Sequence, residues 1–538
     1  MALGTDIQER RDTLLPRSPA PVSSGTPRLL ILLTVYALAL GAYAIIRYNG
    51  ISVDSDTALL TRAIGSVMAA GTVTPAEGAY GNGFGFPALA TYVTYLTGVD
   101  VLSLQRLVFP LLIAGIVAPA YMFFREITRD SRAGLLATVL LFLQPDFLFV
   151  TLRGSHERFS IALMLTALYL LVRGYRLIED FRAFTIHILL FYLVVFGVIE
   201  SNTLYGASFI AALLASLGIG MLVIRTRVRD LFSTDYVLPR LIFPAAVSVA
   251  LIFIQFFYLY PPSNVVLGIM RDAGIRLIAL FVGVNLRSNP YLYIADTWIG
   301  TWIYFLLTAF NWSVLAVSFV IWVYWGYRWL VLRQPVVVRS HLLLWCLYFA
   351  FAVQIAVSIV VDYSGLLGGN LQLRVFPSFM LMAIPATALV LAPWMAALPA
   401  RRWWRSGLVV LGSLMAVAAV VKATNEPLVS NKWMFPVQEE VTGLRWLDQY
   451  TRATLVWTDM DERLSMTALQ LGMGTESLVR FGAFRVTPDV NYFFLSDTIL
   501  TRAERRRVAT PNVSDTHRVY DNGTAQVYQR RPVTPFQQ

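Results

Sequence analysis

The chain has 538 residues, of which 57% are hydrophobic and only 14% charged, and its mean hydropathy is +0.62. A soluble globular chain carries about 25% charged residues, so this balance excludes an ordinary soluble protein and indicates a polytopic membrane protein. The formal net charge of +11 would suit a nucleic-acid partner only if it formed a basic face, and its placement shows an insertion signal instead, so no nucleic acid is expected.

Residues 1–28 carry Arg10, Arg11, Arg17 and Arg28 ahead of the first apolar run and read as a cytoplasmic tail. No small-residue cleavage site follows, so the first span reads as a retained signal anchor. Apolar runs bounded by charge predict eleven spans: 29–46, 102–124, 134–151, 159–175, 184–199, 203–224, 241–259, 299–325, 342–361, 375–394 and 407–421. They form a transmembrane unit over 29–421 with two long external loops, 47–101 and 260–298. The single cysteine, Cys346, lies in an apolar run and excludes an intrachain disulfide.

Arginine sets the orientation. With the N-terminus inside, the inner segments hold 20 arginines against 9 acids, the outer loops 9 against 10, and the tail after the last span 14 basic residues against 13 acids. The surplus belongs to the inner face, which predicts N-in and C-out. The multi-pass chain is then expected in the plasma (inner) membrane of a prokaryote.

Residues 422–538 read as an external soluble α/β domain. An amphipathic helix is predicted over 438–450 and strands over 454–458 and 490–495. A hairpin of strands 517–521 and 524–529 is predicted on the Asn522-Gly523 turn. No internal repeat is evident, which weakens a transporter or flippase for a lipid-linked or anionic substrate, the alternative reading.

Three constellations could carry chemistry. Asp54 and Asp56, in a loop after span one, can share a divalent cation or leave one carboxylate to accept a hydroxyl proton; a solvated acidic turn is the plain alternative. Arg153-Gly154-Ser155-His156-Glu157-Arg158 places a carboxylate, an imidazole and two guanidiniums in one short turn. Snorkelling would explain the arginines but not the Glu or the His. Arg374, at the outer start of a late span, defies the inside preference; its guanidinium can hold a phosphate bidentately or meet a lipid headgroup. Asp146, Glu200 and Asp362 also fall near outer span ends and are functional-site candidates because an intramembrane acid is costly; Asp146, after Pro145, ranks below Glu157 because it can instead cap a kink. Asn311-Trp312-Ser313 matches the glycosylation acceptor pattern but lies inside a predicted span.

These residues resemble the GT-C superfamily of integral-membrane glycosyltransferases. The resemblance is carried by Asp54-x-Asp56, Phe84-Gly85-Phe86-Pro87, Leu148 through Arg158, Leu373-Arg374-Val375-Phe376-Pro377 and the C-terminal external domain. The Trp-Trp-Asp-Tyr-Gly signature of oligosaccharyltransferase catalytic subunits is missing, since Trp403-Trp404 is followed by Arg405. A mannosyl- or arabinosyltransferase-like member is therefore the closer match.

The resemblance implies a polytopic α-helical GT-C fold of about eleven spans. It implies transfer of a hexosyl or pentosyl group from a polyprenyl-phosphate donor to a glycan, lipid or protein acceptor at the outer face, in contact with membrane lipids. It implies that Asp54 or Asp56 activates the acceptor or binds a metal, and that Glu157 with His156 completes the acidic site. Arg374, with Arg153 and Arg158, would hold the donor phosphate. A divalent cation, Mg2+ or Mn2+, would sit on Asp56 and Glu157 if one is used.

Overall fold

The computed structural model describes residues 25–47, 55–72, 83–153, 156–227, 301–334, 338–363, 371–397, 402–424, 437–451, 455–457, 478–479, 490–506 and 509–531, with scattered positions in 244–278 and 464–468. Its elements, in chain order, begin with α1 (Thr26–Arg47), α2 (Ser55–Ala70), α3 (Gly85–Thr97), α4 (Val101–Thr128), α5 (Ser131–Phe142), α6 (Pro145–Leu152) and α7 (Glu157–Arg176). They continue with α8 (Phe181–Ser201), α9 (Thr203–Arg227), α10 (Thr301–Gly326), α11 (Arg339–Tyr363), α12 (Leu371–Ala397) and α13 (Arg402–Thr424).

Among the described residues, nine helices are long and apolar enough to cross a membrane, and the bent pair α5/α6 makes up to ten. Helices satisfy every backbone group internally, so these apolar runs can lie in lipid. They coincide with ten of the eleven predicted spans; the other, 241–259, and the loop 260–298 fall largely outside the described residues.

The predicted span at 134–151 is not straight. The chain turns by 65° between α5 and α6. Gln144 precedes a proline, which favours extended backbone, and its φ of −87° and ψ of 116° comply. Its side chain accepts the Phe147 N–H, with Pro145 in the first turn of the new helix. Gln144, not Asp146, is the cap.

Helix α12 is the axis of the bundle: 83% of its apolar window is buried, against 22% for the peripheral α10 and α13. At the end of the bundle expected to face inward, Glu126 of α4 takes Arg176 at 2.9 Å, Arg173 at 3.6 Å and Arg129 at 3.8 Å, tying α4 to α7.

The predicted loop 47–101 contains two helices. Leu60 and Ile64 of α2 pack with Phe86 and Ala90 of α3 against Leu104 and Phe109 of α4. Thr61 Oγ1 donates to Gln105 Oε1 over 2.8 Å, which fixes α2 on the end of α4.

The C-terminal part has α14 (Gln438–Tyr450), β1 (Leu455–Trp457), β2 (Leu478–Val479), β3 (Val490–Ser496), α15 (Asp497–Arg506), β4 (Thr516–Asp521) and β5 (Ala525–Arg530). They form one five-stranded sheet in the order β2-β1-β3-β5-β4. The first three strands are parallel, and β5 is antiparallel to β3 and β4. Val456, Trp457, Phe494 and Val527 form its core with Leu444 and Leu447 of α14. The β4–β5 turn has Gly523 at φ +91°, a conformation open to glycine.

Candidate active site

The second-loop residues converge. Arg153 ends α6, and His156, Glu157 and Arg158 begin α7; all four are buried. The Arg153 guanidinium donates to the Glu157 carboxylate and lies 5.0 Å from the centre of the Phe149 ring. Arg158 donates to the Arg153 carbonyl. Arg153 and Arg158 therefore hold the turn from α6 into α7 as well as supplying positive charge.

His156 is fixed from the next helix pair. Asn202, between α8 and α9, uses Oδ1 to accept the Tyr205 N–H at 3.0 Å, which orients its amide. Its Nδ2 then donates to His156 Nε2 over 2.6 Å. This assigns His156 Nε2 as acceptor and places the ring proton on Nδ1. The other ring face meets Phe86 of α3, 6.1 Å away.

Arg374 is in the electrostatic neighbourhood of the same cluster. It is half-buried in the first turn of α12. Buried Tyr205 lies within electrostatic reach of Glu157, Arg153 and Arg374 together. Two motifs more than two hundred residues apart thus act electrostatically on one phenol. Asp362 sets where α12 begins, accepting the N–H groups of Leu371 at 2.7 Å and Gln372 at 2.8 Å.

The first loop is docked on this layer. Gly83, at φ +102°, runs so close to α8 that a Cβ there would lie 2.1 Å from the Glu200 carbonyl oxygen, and one on Gly85 would lie 3.0 Å from the Glu200 backbone carbon. These glycines let Phe86 reach Phe109, His156 and Phe159. Asp56 lies in the first turn of α2, next to buried Thr57; Asp54 lies outside the described residues.

A second polar group gathers around Asp146, whose partnership with Lys422 the sequence did not indicate. Lys422, near the end of α13, donates to Asp146 Oδ1 over 2.7 Å and is buried. Asn311 of α10 donates its amide to Asp146 Oδ2, and Gln144 Nε2 donates to the same oxygen at 3.0 Å. Asp146 and Lys422 face a cavity of about 820 Å³, which Gln372 and Phe376 of α12 also line. The signal available was compositional: Lys422 is one of only two lysines among 43 basic residues. Asn311, within the glycosylation pattern, is an interior hydrogen-bonding residue.

Among the described residues, no three His, Cys, Asp or Glu side chains come together as a metal site. Glu157 has a guanidinium on its carboxylate; Asp54 and the side chain of Asp56, the other carboxylates expected at a cation, lie outside the described residues, and no step is derived through one.

No family model and no curated protein matches this sequence. Solved structures do resemble it. The archaeal oligosaccharyltransferase AglB from Archaeoglobus fulgidus, in complex with an inhibitory peptide and a dolichol-phosphate, matches with a TM-score of 0.51 and 13% identity over 88% of this chain and 70% of that one. The apo form of the Archaeoglobus fulgidus oligosaccharyltransferase gives 0.52 and 13% over 87% and 69%. ArnT from Cupriavidus metallidurans bound to undecaprenyl phosphate aligns over 94% and 98% at 12% identity, with a TM-score of 0.36. The helical bundle with its C-terminal sheet has the fold of these archaeal oligosaccharyltransferase structures.

Proposed function

We propose that the chain transfers a sugar from a polyprenyl-phosphate donor to a glycan, lipid or protein acceptor on the outer face of the membrane. The arginine distribution supports the orientation, with the C-terminal α/β part outside. The observation that carries the reading is the buried Arg153–Glu157 pair at the start of α7, in a bundle with the fold of the archaeal oligosaccharyltransferase. The archaeal oligosaccharyltransferase of this fold was solved with a dolichol-phosphate. The absence of a Trp-Trp-Asp-Tyr-Gly signature favours a single hexosyl or pentosyl group over a preassembled glycan.

The chemistry follows from the groups. A polyprenyl phosphate departs as a stabilised anion, so the site needs positive charge for the phosphate and a base for the acceptor hydroxyl. Arg374 supplies the charge. Asp54 or Asp56 takes the hydroxyl proton as its oxygen attacks the anomeric carbon and the bond to phosphate breaks, inverting that centre. Glu157 balances Arg153 beneath the site, and His156 locks the turn that carries both.

Purified protein in lipid nanodiscs, given a labelled polyprenyl-phosphate sugar and acceptor-bearing envelope extract, is expected to form labelled product with release of the polyprenyl phosphate. Asp54→Asn, Asp56→Asn and Glu157→Gln should each abolish transfer without loss of membrane insertion; full activity in all three would remove the site assignment. Uptake of the lipid-linked sugar into vesicles with no product would replace an enzyme by a transporter.

A further inference from the structure

The Asp146–Lys422 pair is an unusual use of charge. Two ions sit together beside a large cavity whose other walls include Trp312, Phe319, Trp322, Tyr348, Phe349 and Phe379. Burying such a pair seldom contributes net stability, because desolvation offsets the attraction. An ionisable pair within membrane-spanning helices therefore marks a functional site.

Asp146 has partners besides Lys422. Asp146 sits in the first turn of α6, beside the 65° break, and accepts from Gln144 and Asn311 as well as from Lys422. Those two amides can keep the carboxylate solvated if the ammonium leaves. Lys422 projects on a flexible stem from the end of α13 and also lines the cavity. A lysine offers a compact point charge with rotatable donors, which an arginine fork does not.

The position relative to α12 adds direction. Gln372, Phe376 and Phe379 face this cavity at helical spacing, while Arg374, two residues after Gln372, acts electrostatically on Tyr205 together with Glu157. The first turn of α12 thus contributes to two polar sites, Gln372 to the one around Lys422 and Arg374 to the one around Glu157.

The geometry points to an exchangeable ion pair: Asp146 holds Lys422 as a counter-ion until the phosphate monoester of an apolar-chain amphiphile enters the 820 Å³ cavity and takes Lys422 as its own partner. The aromatic wall receives the chain, Lys422 binds the phosphate, and Asp146 remains on Gln144 and Asn311. This rests on the proposed function for the identity of the amphiphile, a polyprenyl phosphate released or held as donor, and adds a residue of the last span to its recognition.

The sign of two substitutions tests it. Binding of farnesyl phosphate, farnesol and inorganic phosphate to the full chain in phosphatidylcholine nanodiscs is measured for wild type, Asp146→Asn, Lys422→Met, the double variant and Arg374→Met. Lys422→Met should weaken farnesyl phosphate binding at least tenfold. Asp146→Asn should strengthen it severalfold, since Lys422 no longer has a charged competitor. The double variant removes both charges without leaving either unpaired and should bind as weakly as Lys422→Met even if that single variant folds poorly. Farnesol and inorganic phosphate should each bind at least tenfold less well than farnesyl phosphate.

Equal weakening by Asp146→Asn and Lys422→Met would show a structural pair and overturn the exchange. Unchanged binding in Lys422→Met with loss in Arg374→Met would also overturn it, while leaving the proposed function intact. Inorganic phosphate binding as well as the lipid would remove the amphiphile. No farnesyl phosphate binding by the wild type would count against both readings.

Discussion

Asn202 donates its amide to His156 across 2.6 Å, joining the start of α9 to the start of α7. The same amide oxygen accepts the Tyr205 N–H, so one side chain fixes both the imidazole and the backbone of the buried tyrosine. Asn202→Leu would leave buried polar groups unpaired, at a cost of about 1–3 kcal/mol. Thermal unfolding in detergent should show a lowered Tm, with sugar transfer falling further than stability alone explains. A variant with unchanged Tm and transfer would mean that the amide does not hold the site.

The buried Arg153–Glu157 pair gives a second expectation. Removing one partner should destabilise by about 3–5 kcal/mol, because the other charge stays buried, whereas removing both is much milder. Glu157→Gln and Arg153→Met are therefore each expected to unfold well below the double variant. Transfer should be lost in all three. Additive losses in a double-mutant cycle would contradict a direct pair.

Gly83 and Gly98 separate close packing from backbone conformation. Both have positive φ, at +102° and +69°, but only Gly83 has a neighbour within 4 Å of an added Cβ. Gly98→Ala should cost about 1–2 kcal/mol of left-handed strain. Gly83→Ala should cost more and displace α3 from α8, read as faster protease cleavage within 47–101 and reduced transfer. Similar behaviour of the two variants would show that the Glu200 contact does not anchor the loop.

Arg374 is expected to act on the phosphate by geometry as well as charge. Arg374→Met should lower kcat/KM for sugar transfer by roughly 10²–10³-fold, the cost of losing one preorganised donor to developing negative charge. Arg374→Lys should fall between, since an ammonium cannot reproduce the bidentate fork. Asp362→Ala, which removes the acceptor for the first N–H groups of α12, should destabilise by about 1 kcal/mol and raise KM without touching substrate. Full activity in Arg374→Met would move phosphate recognition elsewhere.

Much of the architecture was legible because its causes are local. The apolar runs needed no partner to be read as spans, and the Asn522-Gly523 turn announced the β4–β5 hairpin. Helix 438–450 followed from its own amphipathic period and is observed over Gln438–Tyr450. The two-residue strand Leu478–Val479 and the helix Asp497–Arg506 were missed. A strand so short has no readable alternation, and its pairing with β1 is what makes it a strand. The bend at Gln144 was half legible: Pro145 marked a break, but the cap is a glutamine, outside the usual Ser, Thr, Asp and Asn set.

The sequence by itself determined the membrane class, the span pattern, the orientation signal in the arginines and the second-loop cluster at 153–158, because each depends on neighbouring residues. Tertiary structure alone decided which distant charges lie near one another. It brought Arg374 to the neighbourhood of Tyr205, Arg153 and Glu157, and paired Lys422 with Asp146, 276 residues away. Those meetings follow from how α6, α7, α9, α12 and α13 pack, and helix packing in a lipid-like core is set by shape and buried polar contacts that hydropathy does not encode.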